Sequence, residues 1–155
     1  AYMPFVYEHP VYWQKIQEET KGSSDIERST CLFIDSENAR EHTEEEMIPV
    51  ENIKGRLFLV GAEDDSFWET GKYIRRMDER LKERPHTCEY VPLVYEHGTH
   101  FVLPESLLRK ALPVGLKFVM RFIFKAAKEY PNECEKTRKD IDRKLSAALK
   151  EWREE

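Results

Sequence analysis

The sequence predicts an α/β fold with parallel strands, and three observations carry that reading. Two apolar runs of strand length occur, Leu57-Phe58-Leu59-Val60 and Val91-Pro92-Leu93-Val94-Tyr95. Between them Ile74, Met77 and Leu81 recur at i, i+3 and i+7, one face of a helix. Strand, helix, strand in that order makes a right-handed βαβ unit in nearly every known case. Third, each run leads into a loop with titratable residues, Glu63-Asp64-Asp65 and Glu96-His97-Gly98-Thr99-His100. The carboxyl ends of strands in open α/β sheets are where ligands and reactive groups gather.

Residues 1–47 read as a helical, cap-like segment, and residues 48–155 as the α/β part. Tyr2, Phe5, Tyr7, Tyr12 and Trp13 cluster ahead of a charged stretch. Gly22-Ser23-Ser24-Asp25 is a turn into a helix, with Ser24 or Asp25 as cap. Residues 41–46 are acidic and read as a solvated helix or loop. From Ile48-Pro49-Val50 the character changes, and Ile53 and Gly55 lead into a strand near 56–61. A helix follows near 68–84 and is stopped by Pro85. The second strand covers 88–95. One long helix is expected from about 105 to 129, kinked or split by Pro113 and Gly115. It is apolar on most sides, and Lys117, Arg121, Lys125 and Lys128 form a basic stripe along it. A last helix runs from near Glu133 to the end. Its stripe of Ile141, Leu145, Ala148, Leu149 and Trp152 is expected to pack on the sheet.

Composition narrows the classes. A chain of 155 residues suits one domain. A net charge of −5 gives no reason to expect nucleic acid as a partner. Cys31, Cys88 and Cys134 are far apart and form no C-x-x-C, which argues for a reducing, cytoplasmic setting. No uncharged apolar run reaches the roughly 18 residues of a membrane span, so no membrane partner is expected. Ala1-Tyr2-Met3-Pro4-Phe5 has no basic region followed by an apolar core and does not read as a signal peptide. The first residue is not Met, so the chain reads as a piece of a longer protein.

An acid past one strand and a His past the next are the last two members of a nucleophile–acid–His triad, in α/β-hydrolase chain order. In such a triad the acid fixes the histidine tautomer, and the histidine takes the proton of the nucleophile. His100 is the base. The acid stays open at this point, since Glu63, Asp64 and Asp65 are adjacent: counting Gly, two residues, then Asp from Gly61 selects Asp64, and Asp65 is the other aspartate in reach. No nucleophile is expected in this chain. No G-x-S-x-G or G-x-C-x-G elbow occurs, and Ser23, Ser24 and Cys31 do not follow an apolar strand into a glycine-flanked turn. His97 and His100 also make H-x-x-H, and Asp64, Asp65 and Glu96 add oxygen atoms, but this spacing is a weak metal signal and no metal is expected.

The stretches Ile48-Pro49-Val50-Glu51-Asn52-Ile53-Lys54-Gly55, Leu57-Phe58-Leu59-Val60 and Glu63-Asp64-Asp65-Ser66-Phe67-Trp68 resemble the C-terminal domain of the acyl-CoA thioesterase and bile acid-CoA:amino acid N-acyltransferase family. The resemblance is close over 48–104 and extends more weakly to 155. It implies the C-terminal portion of an α/β-hydrolase fold, related to dienelactone hydrolase. Aligning on Trp68 makes Asp65 the family's catalytic acid, and the histidine is His100. Two departures are present: Ala62 stands where the family has Gly, and Thr99 is inserted into the usual Gly-His. The family's Ser or Cys nucleophile and its oxyanion hole would lie upstream of residue 1. The implied substrate is a small acyl thioester or ester, with acyl-CoA as candidate, and water or an amine as acceptor; no cofactor is implied. A second reading is a non-catalytic interaction module, a partial hydrolase that completes its sheet with a partner, through self-association or a missing N-terminal half.

Overall fold

The computed structural model describes residues 43–154, together with Gln14 and Glu18. The cap-like segment, its aromatic cluster and the Ser24–Asp25 cap therefore fall almost wholly outside the described residues. Strands β1 (Arg56–Ala62) and β2 (Glu89–Tyr95) pair in parallel, from Arg56 opposite Glu89 to Ala62 opposite Tyr95. Helix α1 (Thr70–Glu83) connects them.

At the ends of the ladder the Glu89 N–H donates to the Gly55 carbonyl and the Glu63 N–H to the Tyr95 carbonyl, at 3.1 and 2.8 Å. Strand alternation then turns the backbone groups of Arg56, Phe58, Val60 and Ala62 toward the opposite edge of β1. No strand pairs with that edge among the described residues. On β2 the same alternation puts Pro92 on the outer edge, where its missing N–H leaves the ladder intact and blocks a further strand. Among the described residues the sheet is thus closed on the β2 side and open on the β1 side.

Ile74 and Leu81 on α1 are buried, and Met77 is half-buried. Leu81, Val50 and Cys88 form one core cluster, covered by Ile53, Leu57, Met77 and Tyr90. The turn at Val50–Asn52 is locked to α1 by Glu51, whose two carboxylate oxygens accept from Arg80 at 2.5 and 2.6 Å. The Arg80 guanidinium holds the Glu51 carboxyl well below its usual range, at about 2.

The long helix expected over 105–129 is three helices: α2 (Glu105–Ala111), α3 (Leu116–Ile123) and α4 (Lys125–Glu129). The first break is the expected one. Pro113 pushes Leu112 out of the helical region, and Gly115 opens α3 from the left-handed conformation at φ 82°. The second break is at Phe124, which is extended (φ −114°, ψ 126°) and 1% exposed. Leaving the helix lets this ring enter a second core with Leu108, Leu116, Met120, Ala127 and Cys134. The basic stripe therefore does not run along one helix: Lys117 and Arg121 are on α3, Lys125 and Lys128 on α4.

Helix α5 (Pro131–Glu154) starts with proline in the first turn, where its missing N–H costs no hydrogen bond. Of the expected stripe, Ile141 is buried, Leu145, Ala148 and Trp152 are half-buried, and Leu149 is exposed. The helix reaches the sheet through the Tyr95 hydroxyl, which donates to Asp140 at 2.8 Å, and through Arg56, whose guanidinium lies 5.7 Å from the Trp152 ring centre. It holds α2 through a buried Arg138–Glu105 ion pair at 2.7 Å. No helix among the described residues is long and apolar enough to cross a membrane.

Candidate active site

The three adjacent acids after β1 have separate partners. Glu63 turns to Arg75 on α1, with a 3.0 Å hydrogen bond to Nη2. Asp64 turns to the loop after β2: Oδ1 accepts the N–H groups of Gly98 and Thr99 at 2.9 and 2.8 Å, and Oδ2 lies 3.2 Å from His97 Nδ1. Asp65 turns to His100, whose Nδ1 lies 3.2 Å from Oδ1 and 3.1 Å from Oδ2.

Asp65 is held on every side. Its side chain is 0% exposed. Oδ1 accepts the N–H groups of Phe67 and Trp68 at 2.9 and 3.1 Å, closing the turn before α1 as aspartate side chains favour. Oδ2 accepts the Thr70 hydroxyl at 2.8 Å. That hydroxyl in turn accepts the Ala62 N–H at 3.1 Å, so β1, the turn and the start of α1 meet at one carboxylate.

A carboxylate only accepts, so the Nδ1 facing Asp65 carries the hydrogen and Nε2 carries the lone pair. Nε2 has no hydrogen-bond partner among the described residues, and the His100 side chain is 24% exposed. The ring is stacked on Phe67 at 5.1 Å and meets Trp68 and Phe101 edge-on at 4.9 and 5.9 Å. Phe67 and Phe101 both rest on Phe124, so the second core supports the histidine. An imidazole so oriented can accept a proton at Nε2 while the buried carboxylate stabilises the cation that forms.

The loop geometry differs from expectation at one point. A glycine before His100 is the natural place for a sharp turn, but the left-handed residue is Thr99, at φ 62°. Gly98 is required by close approach instead, since a Cβ there would meet Val102 at 2.6 Å and the Ala62 Cβ at 3.0 Å. His97 stacks on Tyr130 with ring centres 3.8 Å apart. It faces Asp64 while His100 faces Asp65, so the H-x-x-H pair does not converge. Among the described residues no group of three His, Cys, Asp or Glu is placed to hold a metal ion.

Sequence reading overlooked Thr70 and Thr137. Thr70 donates to Asp65, and the Thr137 hydroxyl donates to the His97 carbonyl at 2.5 Å across 40 residues. Thr137 gives no local signal, because its partner is a backbone carbonyl on a distant element. Thr70 could have been read as a short polar residue at a helix start beside the acid.

Residues 5–106 match the family described as BAAT / Acyl-CoA thioester hydrolase C terminal. The chain belongs to this family. The match runs across β1, α1, β2 and the His100 loop, and ends inside α2 at Ser106. Comparison with curated proteins and with solved structures finds no match. Family membership supports acyl-CoA thioester hydrolase or acyltransferase chemistry in general, with a small acyl-CoA-type molecule as substrate class.

Proposed function

We propose that this chain carries the acid–histidine half of an acyl-transfer site, and that a Ser or Cys nucleophile outside the chain completes it. Residues 48–155 are then the C-terminal portion of an α/β-hydrolase domain, and residues 1–47 a cap-like segment. The observation that carries the reading is the buried Asp65 carboxylate against His100 Nδ1, with Nε2 unpartnered among the described residues. In this mechanism His100 Nε2 removes the proton of the nucleophile as it attacks the acyl carbonyl, and returns it to the departing thiolate or alkoxide. A second proton transfer activates water or an amine to release the acyl group. Asp65 keeps the imidazole in the productive tautomer throughout.

The test is acyl-CoA hydrolysis followed by thiol release. The 155-residue chain alone shows no turnover above a His100→Ala variant. Combined with an upstream segment bearing a Gly-x-Ser-x-Gly or Gly-x-Cys-x-Gly elbow, it gains turnover that Asp65→Asn lowers by about 10⁴-fold. Substantial His100-dependent turnover by the chain alone overturns the divided-site proposal. Turnover in the combined protein that ignores Asp65→Asn overturns the role of the acid.

The interaction-module reading has its own supporting observation. The open edge of β1 has no strand partner among the described residues, and Val114, Phe118 and Phe122 on and before α3 are 89%, 75% and 68% exposed. A large exposed apolar face invites a partner. A concentration-dependent dimer that Phe118→Ser with Phe122→Ser disperses favours this reading, and a monomer at all concentrations disfavours self-association.

A further inference from the structure

We infer that Asp64 is a positioning residue for His100, whose carboxylate holds residues 97–99 in the backbone arrangement that presents the imidazole to Asp65. The inference rests on the acid–histidine proposal and adds a second carboxylate with a different task.

Among the described residues no hydrogen bond joins Asp64 to His100. Both its oxygens are spent on the three residues before it: two successive N–H groups converge on Oδ1, and the His97 ring on Oδ2. Successive N–H groups converging on one oxygen form a concavity that favours anions, and hydrogen bonds to a charged acceptor are stronger than neutral ones. The charge is needed because of what the loop does next. Thr99 is β-branched, completely buried and left-handed at φ 62°. Such a residue keeps this conformation only where its surroundings over-determine it.

The other restraints bracket the same three residues. Thr137 fixes the His97 carbonyl, the Thr99 hydroxyl accepts the Phe101 N–H at 3.2 Å, and Gly98 is pressed against Ala62 and Val102. His100 is the residue between these restraints. Its side chain is aimed by the backbone turn at Thr99, and Asp64 is the carboxylate bonded to that turn. Relaxing Thr99 to negative φ redirects the Cα–Cβ bond of the next residue and carries the imidazole away from Asp65.

The test uses the full chain and long-range ¹H–¹⁵N spectra of the imidazole nitrogens, with amide hydrogen exchange in parallel. In the wild type His100 carries its hydrogen on Nδ1. Asp64→Ala lowers the ratio of that tautomer to the Nε2–H form by roughly 5- to 30-fold, the factor by which a non-glycine residue disfavours the left-handed region. It also speeds exchange of the Gly98 and Thr99 amides. Asp64→Asn shifts the ratio in the same direction by less. In a Thr99→Gly background, where the positive φ is free of steric cost, the effect of Asp64→Ala on the ratio shrinks. If the Gly98 and Thr99 amides lose protection while His100 keeps its tautomer, Asp64 is a local brace and the inference is overturned. Should Asp64→Ala unfold the chain, an unchanged tautomer in folded Asp64→Asn overturns it equally. A wild-type His100 in the Nε2–H form removes the Asp65 pairing itself, and this inference falls with it.

Discussion

Gly61→Ala is the substitution with the most to say about how the site is built. Gly61 lies on β1 against the first turn of α1. A Cβ there would stand 2.7 Å from the Thr70 carbonyl oxygen, 2.8 Å from its carbon and 2.9 Å from Ile74 Cγ1. The two nearest atoms are backbone, so no side-chain rotation relieves the clash. The start of α1 has to retreat about 0.7 Å to restore an ordinary 3.4 Å contact. Thr70 moves with it, and its hydroxyl is the donor 2.8 Å from Asp65. A retreat of that size takes the bond past the normal limit of about 3.0 Å between oxygens. Overpacking of this kind costs about 1–3 kcal/mol, and the weakened hydrogen bond to a buried charged group adds about 1 kcal/mol. Urea unfolding followed by far-UV circular dichroism, with the slope unchanged, reads the loss as a lower midpoint. Glu96→Ala, at an exposed position in the second loop, serves as control and stays within about 0.5 kcal/mol of wild type. A Gly61→Ala chain as stable as that control refutes the close-approach argument.

Three other outcomes follow from the same geometry. Thr70→Val keeps the shape but leaves buried Asp65 without one donor, and lowers stability by about 1–3 kcal/mol in urea unfolding. Glu51 sits at about 2 in the fold against an ordinary 4.5, so its contribution is present above pH 4.5 and is lost as pH falls toward 2. The wild-type urea midpoint therefore drops between pH 5 and pH 2, and the deficit of Glu51→Gln seen at pH 7 vanishes over the same window. Burial pushes the Cys134 thiol up to about 11, so Cys134 resists iodoacetamide at pH 8 in the native chain and reacts once urea unfolds it.

How much of this could be read from the sequence depends on whether the cause was local. The βαβ unit was legible because its signals are local: two apolar runs, a 3.6-residue period and a terminating Pro85. The helix begins at Thr70 rather than near 68 because Asp65 draws the Phe67 and Trp68 N–H groups into a turn first. The Pro113–Gly115 break was legible for the same reason. The break at Phe124 was not, since the amphipathic helical pattern continues through it and only the tertiary demand for an aromatic plug interrupts it. At the site, the residue types and their order were legible, and the resemblance singled out Asp65, while the separate partners of Glu63 and Asp64 were not. Neighbouring carboxylates look alike in sequence, and only the path of the loop decides which of them meets Arg75, the 97–99 turn or His100. Thr137 belongs to the illegible part, being a contact between distant elements with no pattern at either end.

The pairing of Asp65 with His100 is the claim on which the functional account stands. The most direct test is the tautomer of His100 in the full chain, read from its imidazole ¹⁵N shifts at a pH where the ring is neutral, in wild type and in Asp65→Asn. The account predicts the Nδ1–H form in the wild type and loss of that preference in Asp65→Asn, since an amide no longer fixes which nitrogen holds the hydrogen. An Nε2–H histidine in the wild type, indifferent to Asp65→Asn, would contradict it.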